Sequence, residues 1–384
     1  MSWRQISRPM REIDLLMGDA RRDFSLPDEW YDLFDFTYST FIWLSKARKI
    51  AHEDTMYLVG QIMGIWEDIY QALPEEKAEM KMLNLILTRL NSRAVDHINC
   101  RVYDFVISHF KAPSFIAKKK FFIESKMDAL KDEPEDELHV ENHLHIYINF
   151  RLLILSDEGA PIEEVEAYAV SHDHYESSVM LKIYRERGER EREMKLLQSV
   201  VSSKFLFPLE KKKYEMRLKA MYRQQGMNEE YNQLLETMFY EYPGDEDIYK
   251  EYRRQFTDEE WKAALKGILE RIGENFEAMT FVASEKQYDC LMKMVEEFHN
   301  FGEYEEVLRK LYPDRALGIY VYLADEEMKN ASGREGYRKV KKILEKMLDC
   351  PGGLETASRL AEKYVKMYPR KFSLKEEMLR FYDP

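Results

Sequence analysis

The stretch YRERG at residues 184–188, followed by Leu196-Leu197, recurs in the chain as YRQQG at residues 222–226, followed by Leu234-Leu235. The aromatic residue, the glycine and the leucine pair keep their offsets in both copies. A phrase that repeats in this way is typical of helical hairpins that stack on one another. We therefore predict an all-α fold, in which residues 171–384 form a degenerate, tetratricopeptide-like solenoid of helical hairpins.

The composition and the spacing of apolar residues extend this prediction to the rest of the chain. Of 384 residues, 45% are hydrophobic and 34% are charged, and only 15 Gly and 12 Pro interrupt the sequence. These proportions suit amphipathic helices around a core. Before residue 171, apolar residues at 3–4 spacing predict an N-terminal helical bundle. Its predicted helices cover residues 10–17, 30–49, 53–72, 75–90, 95–110, 115–130, 138–155 and 162–170. The predicted domains are thus 1–170 and 171–384.

The formal net charge of −13 argues against a generic nucleic-acid-binding protein, because contacts to phosphates require clustered Lys and Arg. Two lysine runs, at residues 118–120 and 211–213, are the candidates for a local basic patch. We interpret each run as the solvated face of a helix. Nucleic acid is therefore not expected as the partner.

Cysteine usage and the absence of apolar segments indicate the cellular location. Cys100, Cys290 and Cys350 lie far apart and form no CxxC pair, which fits a reducing cytoplasm. Residues 1–8 contain no apolar signal-peptide core. The most apolar stretch, residues 146–155, is too short to span a bilayer. We expect a cytoplasmic protein that does not enter the membrane.

Three short segments carry predictions about the backbone. If Gly226 ends the first helix of its hairpin with a positive φ, any larger residue there would strain the turn. The sequence TDEE at residues 257–260 predicts a capping box at the start of a helix. The sequence GREG at residues 333–336 lacks the frame of a phosphate-binding loop, and we predict a simple loop between helices.

Several short blocks in the C-terminal half resemble a known family. The blocks are FTDEEW at 256–261, YEEVL at 304–308, YRKVKKIL at 337–344, AEKY at 361–364 and YPRK at 368–371. Together they resemble the C-terminal helical-repeat region of bacterial SWIM zinc-finger proteins, over residues 175–384. The resemblance implies the tetratricopeptide-like solenoid. The family's zinc finger, a CxC pair followed by CxH, is absent from this sequence. Its zinc binding and nucleic-acid role are therefore carried over to no residue.

Five of the nine histidines lie between residues 139 and 174. His139 and His143 are four residues apart and share one helix face, so they could bind zinc, and His172 or His174 could complete the site. The opposing interpretation is that these histidines form local hydrogen bonds, because the HxxxH spacing lacks the glutamate of HExxH. The candidate ligands are His139, His143 and His174, and we predict no cofactor.

Tyrosine and methionine, both abundant in this chain, occur in helical cores and in recognition grooves. A curved solenoid presents a concave surface on which tyrosines can contact a peptide or a partner helix. By repeat position, the candidates are Tyr222, Tyr252 and Tyr288. The sequence therefore predicts a non-enzymatic scaffold or adaptor that binds a protein or peptide. The alternatives are a nucleic-acid-associated accessory protein and a metal-dependent enzyme that uses the cluster from His139 to His174.

Overall fold

The computed structural model describes residues 29–46, 52–73, 75–90, 96–130, 137–172, 175–203, 206–273 and 275–381. Within these ranges the chain forms helices and no strand, so the predicted all-α class is confirmed. The predicted helix at 10–17 lies outside the described residues. The chain divides into two compact units, residues 1–203 and 204–384. The predicted domain boundary after residue 170 stays a prediction.

The described part of the first unit contains the helices predicted from residue 30 onward, with ends that differ by a few residues. Helix ends depend on local caps, which apolar spacing does not encode. The helices are α1 Glu29–Lys46, α2 His52–Ala72, α3 Glu76–Arg89, α4 Asp96–His109, α5 Pro113–Leu130, α6 Glu137–Asp157, α7 Ile162–Val170, α8 Ser177–Arg187 and α9 Arg190–Val201.

The central helix of the first unit is α6, which packs against α4, α5, α7 and α8. It contains the most apolar stretch of the chain. The buried apolar side chains of that stretch are Tyr147, Ile148, Phe150, Leu152, Ile154 and Leu155. A helix that is apolar on all sides is covered by neighbours on all sides. Among the described helices, none has the length and apolar composition that crossing a membrane requires.

Cationic side chains surround the C-terminal end of α6. Lys119 of α5 is fully buried, and its Nζ lies 3.3 Å from Oδ2 of Asp157. The Nζ of Lys111 lies 2.7 Å from the other oxygen of the same carboxylate. Burial lowers the pKa of Lys119 to about 8, although the charge of Asp157 opposes this effect. Positive charge at this position also suits the partial negative charge at the C-terminal end of a helix.

The lysine run at residues 118–120 is therefore not a solvated face, and that interpretation is wrong. Lys118 is exposed, Lys119 points into the unit, and Lys120 lies 2.9 Å from Oε1 of Glu158. Successive residues of an α-helix point roughly 100° apart. Three adjacent lysines consequently cannot share one solvated face.

Arg187, the last residue of α8, caps the same end of α6. Its guanidinium donates hydrogen bonds to the carbonyl oxygens of Leu155, Ser156 and Ala160, over 3.3, 2.8 and 2.5 Å. It also donates to Oγ of Ser156 over 3.0 Å. The last carbonyls of a helix lack partners within the helix. The backbone N–H groups of Ala160 and Gly159 also donate to the carbonyls of Leu155 and Ser156. Arg187 therefore adds a second donor to each of these carbonyls and attaches α8 to the end of α6.

In the second unit, most helices pack on the next helix in sequence, as hairpins do. In addition, α17 packs on α19, and α18 packs on α20. The described helices are α10 Pro208–Gln225, α11 Asn228–Glu241, α12 Glu246–Arg253, α13 Asp258–Ile272, α14 Met279–Ser284, α15 Tyr288–Phe298, α16 Glu305–Leu311, α17 Pro313–Asn330, α18 Gly333–Met347, α19 Gly353–Met367 and α20 Phe372–Met378. The finer prediction of a tetratricopeptide-like solenoid stays a prediction.

Two of the three backbone predictions are confirmed. Gly226 follows α10 with a φ of 70°, in the left-handed region that favours glycine. Thr257 and Glu260 form the reciprocal hydrogen bonds of a capping box. The segment at 333–336 differs from the prediction, since α18 already begins at Gly333. It is the first turn of a helix and not a loop.

Hydrogen bonds from tyrosines to carboxylates link helices within the second unit. Tyr320 donates to Oε1 of Glu305 over 2.6 Å, and Tyr364 donates to Oδ1 of Asp325 over 2.9 Å. Burial, and then these hydrogen bonds, raise the pKa of both tyrosines. Part of the abundant tyrosine in this chain therefore connects one helix to another.

Candidate functional site

Two of the three predicted contact tyrosines face the protein interior. Tyr222 and Tyr252 are each 6% exposed. The ring of Tyr252 stacks on Phe239 with the centroids 4.6 Å apart. Tyr288, the first residue of α15, is half-buried. These rings offer a partner little surface, and their role in binding stays a prediction.

The predicted metal ligands are only partly placed. The side chain of His139 and all of His174 lie outside the described residues, whereas His143 lies on α6 and is 3% exposed. His145, on the same helix, has Nε2 at 2.6 Å from Oε1 of Glu176. The described residues contain no group of three side chains that could hold a metal ion. The metal site stays a prediction.

Two clefts of the first unit adjoin along α5, because Glu124 lines both. One cleft, of about 490 Å³, extends to the C-terminal end of α6. The other, of about 620 Å³, is bounded by α5, α6 and α7. We call this surface the α5 groove and define it by Phe121, Glu124, Met127, Leu144, Arg151 and Tyr168.

The α5 groove has an apolar surface that neighbouring side chains leave uncovered. The ring of Phe121 is 72% exposed. Met127, Leu144 and Tyr168 are half-buried, and Oη of Tyr168 donates to Sδ of Met127 over 3.8 Å. Phe121 lines the cleft of about 490 Å³, and the other three side chains line the adjoining cleft of about 620 Å³. Exposed and half-buried apolar side chains on adjoining clefts form a surface that a partner can cover.

The charged residues of the α5 groove are paired with one another. Arg151 lies 3.6 Å from Oε1 of Glu124 and 3.3 Å from Oε2 of Glu158. Burial acts to raise the pKa of Glu158, but hydrogen bonds from Lys120 and Arg151 outweigh it and lower that pKa. A carboxylate in this state suits an ion pair better than general acid catalysis, which requires a raised pKa.

Sequence reasoning missed the α5 groove, although the sequence contains a signal for it. Phe121 and Phe122 are adjacent on one helix, so their side chains point roughly 100° apart. Both rings cannot face the same core. In the structure Phe122 is half-buried and Phe121 is exposed.

A smaller cleft, of about 240 Å³, lies between α4 and α6 and beside the start of α8. Tyr103, Ile107 and Phe150 form its inner wall and are at most 8% exposed. Asp104 and Glu176 also line it and remain exposed to solvent. We call it the α4–α6 cleft, and these five residues define it.

Hydrogen bonds hold Glu176 at the mouth of the α4–α6 cleft. Its backbone N–H donates to Oδ1 of Asn149 over 2.8 Å. Oγ of Ser178 donates to its Oε2 over 2.9 Å, and Nε2 of His145 lies 2.6 Å from its Oε1. The hydrogen bond with His145 lowers the pKa of Glu176, although burial opposes it. The carboxylate is thereby fixed in its charged form.

Cys100 also lines the α4–α6 cleft. Burial raises the pKa of its thiol, and the charge of Asp104 raises it further. A nucleophilic cysteine needs a lowered pKa, because the thiolate is the reactive form. The cleft thus disfavours cysteine catalysis.

The comparisons with known proteins add no relative. No protein-family model matches the chain, and no curated protein is significantly similar to it in sequence.

Proposed function

We propose that this protein is a non-enzymatic scaffold or adaptor that binds a protein or peptide on its α5 groove. The observation that carries the proposal is Phe121, whose ring is 72% exposed and lines the cleft of about 490 Å³, which adjoins the cleft of about 620 Å³ at Glu124. Clefts that adjoin along a helix suit a partner helix or an extended peptide, whose side chains enter successive pockets. Aromatic side chains are among the residues that typically form binding hot spots.

The state of the ionisable groups supports binding over catalysis. Enzyme sites place groups with pKa values shifted toward the operating pH where a substrate can reach them. In the α5 groove, Lys120 and Arg151 neutralise Glu158. In the α4–α6 cleft, the thiol of Cys100 has a raised pKa. Neither surface offers an activated nucleophile.

The lysine runs support a protein partner over a nucleic acid. Lys119 is buried in the first unit. In the second unit, Lys211 pairs with Glu241, and Lys212 lies 2.6 Å from Oδ2 of Asp245. Lysines that already have carboxylate partners contribute little to phosphate binding. The net charge of −13 also repels a polyanion.

The resemblance of residues 175–384 to the helical-repeat region of bacterial SWIM zinc-finger proteins also favours a binding role, because stacked helical repeats present extended recognition surfaces. We propose this relationship, together with a bacterial origin and a cytoplasmic location, on the short blocks and the cysteine usage described above.

The proposal is tested with Phe121→Asp and a matched control, Phe372→Asp. Phe372 lies in the second unit and is 75% exposed, so the two variants alter the same residue type at the same exposure. Partners are captured from a bacterial lysate at physiological salt and quantified by mass spectrometry. We expect Phe121→Asp to reduce capture by roughly tenfold, whereas Phe372→Asp retains it. A lysate that yields no enriched partner, or equal losses in the two variants, would contradict the proposal.

A further inference from the structure

The volume of the α4–α6 cleft suits a single side chain. At about 240 Å³, it lies below the roughly 300–1,000 Å³ of sites that enclose a small molecule. Its buried end is apolar, since Tyr103, Ile107 and Phe150 are at most 8% exposed. The rings of Tyr103 and Phe150 meet edge to face, with the centroids 5.1 Å apart. A long side chain inserted by a partner would contact aromatic and aliphatic carbon along its stem.

Two carboxylates, those of Asp104 and Glu176, line the mouth of the cleft, and no Lys or Arg is among the described residues that line it. Oε1 of Glu176 lies 2.6 Å from Nε2 of His145. Arg101 and Lys182 act on Asp104 from outside this lining. Asp104 itself forms no hydrogen bond or ion pair with another described residue. Burial raises the pKa of Asp104, the charges of Arg101 and Lys182 lower it, and the charge of Glu176 raises it further. A cation bound beside Asp104 therefore favours the charged form of this carboxyl.

From this combination we infer that the α4–α6 cleft binds the side chain of an arginine that a partner peptide presents. An arginine has the required apolar stem and cationic head. Its planar guanidinium stacks on aromatic rings and bonds carboxylates through a fork of N–H donors, which the ammonium of lysine cannot do. The inference rests on the proposed binding function, because the arginine comes from a partner, but it concerns a surface other than the α5 groove.

The test uses the full chain and three tripeptide probes: N-acetyl-Gly-Arg-Gly-amide and the same peptide with citrulline or with lysine in place of arginine. Citrulline has nearly the shape of arginine and carries no charge. Binding is measured by titration calorimetry at low salt. We expect the arginine peptide to bind about tenfold more tightly than the citrulline peptide. Equal affinities for the two peptides would overturn the inference, and a lysine peptide of equal affinity would overturn the choice of arginine.

Two variants test whether the difference in affinity between the arginine and citrulline peptides arises in the α4–α6 cleft. Asp104→Asn should lower the affinity for the arginine peptide to that for the citrulline peptide. Glu186→Gln, which removes an exposed carboxylate outside the cleft, should leave it unchanged. An unchanged affinity in Asp104→Asn would refute the assignment. Phe121→Asp should not affect this peptide. If the arginine peptide binds as expected but no cellular partner depends on Phe121, this inference stands and the proposed use of the α5 groove is rejected.

Discussion

The two copies of the repeated phrase, residues 184–188 in the first unit and 222–226 in the second, have the same turn and different tertiary contacts. Gly188 and Gly226 adopt φ values of 74° and 70°. In each copy the N–H of the residue after the glycine donates to the carbonyl oxygen of the tyrosine, over 2.8 and 3.0 Å. This helix-ending motif needs only a glycine and the turn before it, so both copies form it independently of their surroundings.

The copies differ at their third residue, which is Glu186 in the first and Gln224 in the second, and at their fourth, which is Arg187 in the first and Gln225 in the second. Arg187 donates to two carbonyls in the last turn of α6 and to the carbonyl of Ala160, just beyond it. Gln225 is exposed and forms no side-chain hydrogen bond with another described residue. A repeated phrase therefore specifies a turn, whereas one residue within it decides what that turn is attached to.

The largest effect is expected for Arg187→Ala, which removes the side chain that attaches the first copy to α6. The substitution removes the four hydrogen bonds that the guanidinium donates, although backbone N–H groups still donate to the carbonyls of Leu155 and Ser156. We expect the free energy of unfolding to fall by about 3 kcal/mol. Gln225→Ala, the matched change in the second copy, should stay within about 0.5 kcal/mol of the wild type. Urea denaturation followed by circular dichroism measures both. Equal losses in the two variants would remove the distinction between the copies.

Lys119→Met examines the charged end of α6 to which the first copy attaches. The native pKa of Lys119 is about 8, below the roughly 10.4 of an unfolded lysine. Between these values the unfolded chain binds more protons than the native chain, so the wild type becomes more stable as the pH rises. Between pH 7 and pH 10, we expect the free energy of unfolding of the wild type to rise by about 2 kcal/mol relative to that of Lys119→Met.

Lys118→Met is the control for this pH series, because Lys118 is the exposed neighbour on the same helix. Its stability should follow that of the wild type across the series. If the curves of the wild type and Lys119→Met stay parallel from pH 7 to pH 10, then Lys119 does not have the lowered native pKa.

Gly188→Ala and Gly226→Ala should cost equal amounts, about 1 kcal/mol each, because no neighbouring atom lies within 4 Å of an added Cβ and only the positive φ opposes the change. Gly267→Ala is the control, since Gly267 lies within α13 and also has open space around it. There alanine should stabilise the helix by up to about 1 kcal/mol. Thermal melts of the three variants measure these changes in stability. Unequal losses in Gly188→Ala and Gly226→Ala would show that the two turns are not equivalent.

The smallest effect is expected for Tyr184→Phe in the first copy. Oη of Tyr184 donates to Oε1 of Glu166 over 2.8 Å. The loss of this hydrogen bond should reduce the free energy of unfolding by about 0.5–1 kcal/mol. A double-mutant cycle with Glu166→Gln isolates the pair, and we expect the two changes to be non-additive. Strict additivity would show that the hydroxyl does not contribute through Glu166.

Apart from the loop expected at residues 333–336, the backbone and helix predictions that rested on neighbours in sequence agree with the structure. The helices of the first unit, the turn at Gly226 and the capping box at Thr257 each depend on residues within a few positions of one another. Features that depend on a distant partner were predicted wrongly or not predicted at all. The burial of Lys119 depends on Asp157, which is 38 residues away, and an apolar periodicity cannot identify that partner. The α5 groove likewise requires α5, α6 and α7 to be brought together.

By itself, the sequence determined the all-α class, the glycine turns and the positions of the helices, because helix formation, capping and left-handed turns are governed by local backbone physics. The tertiary structure alone decided that Lys119 is buried, that Arg187 caps α6, that Phe121 is exposed, and that Asp104 and Glu176 share a cleft. These features depend on the environment that distant segments create around a side chain. Residue type limits that environment without specifying it.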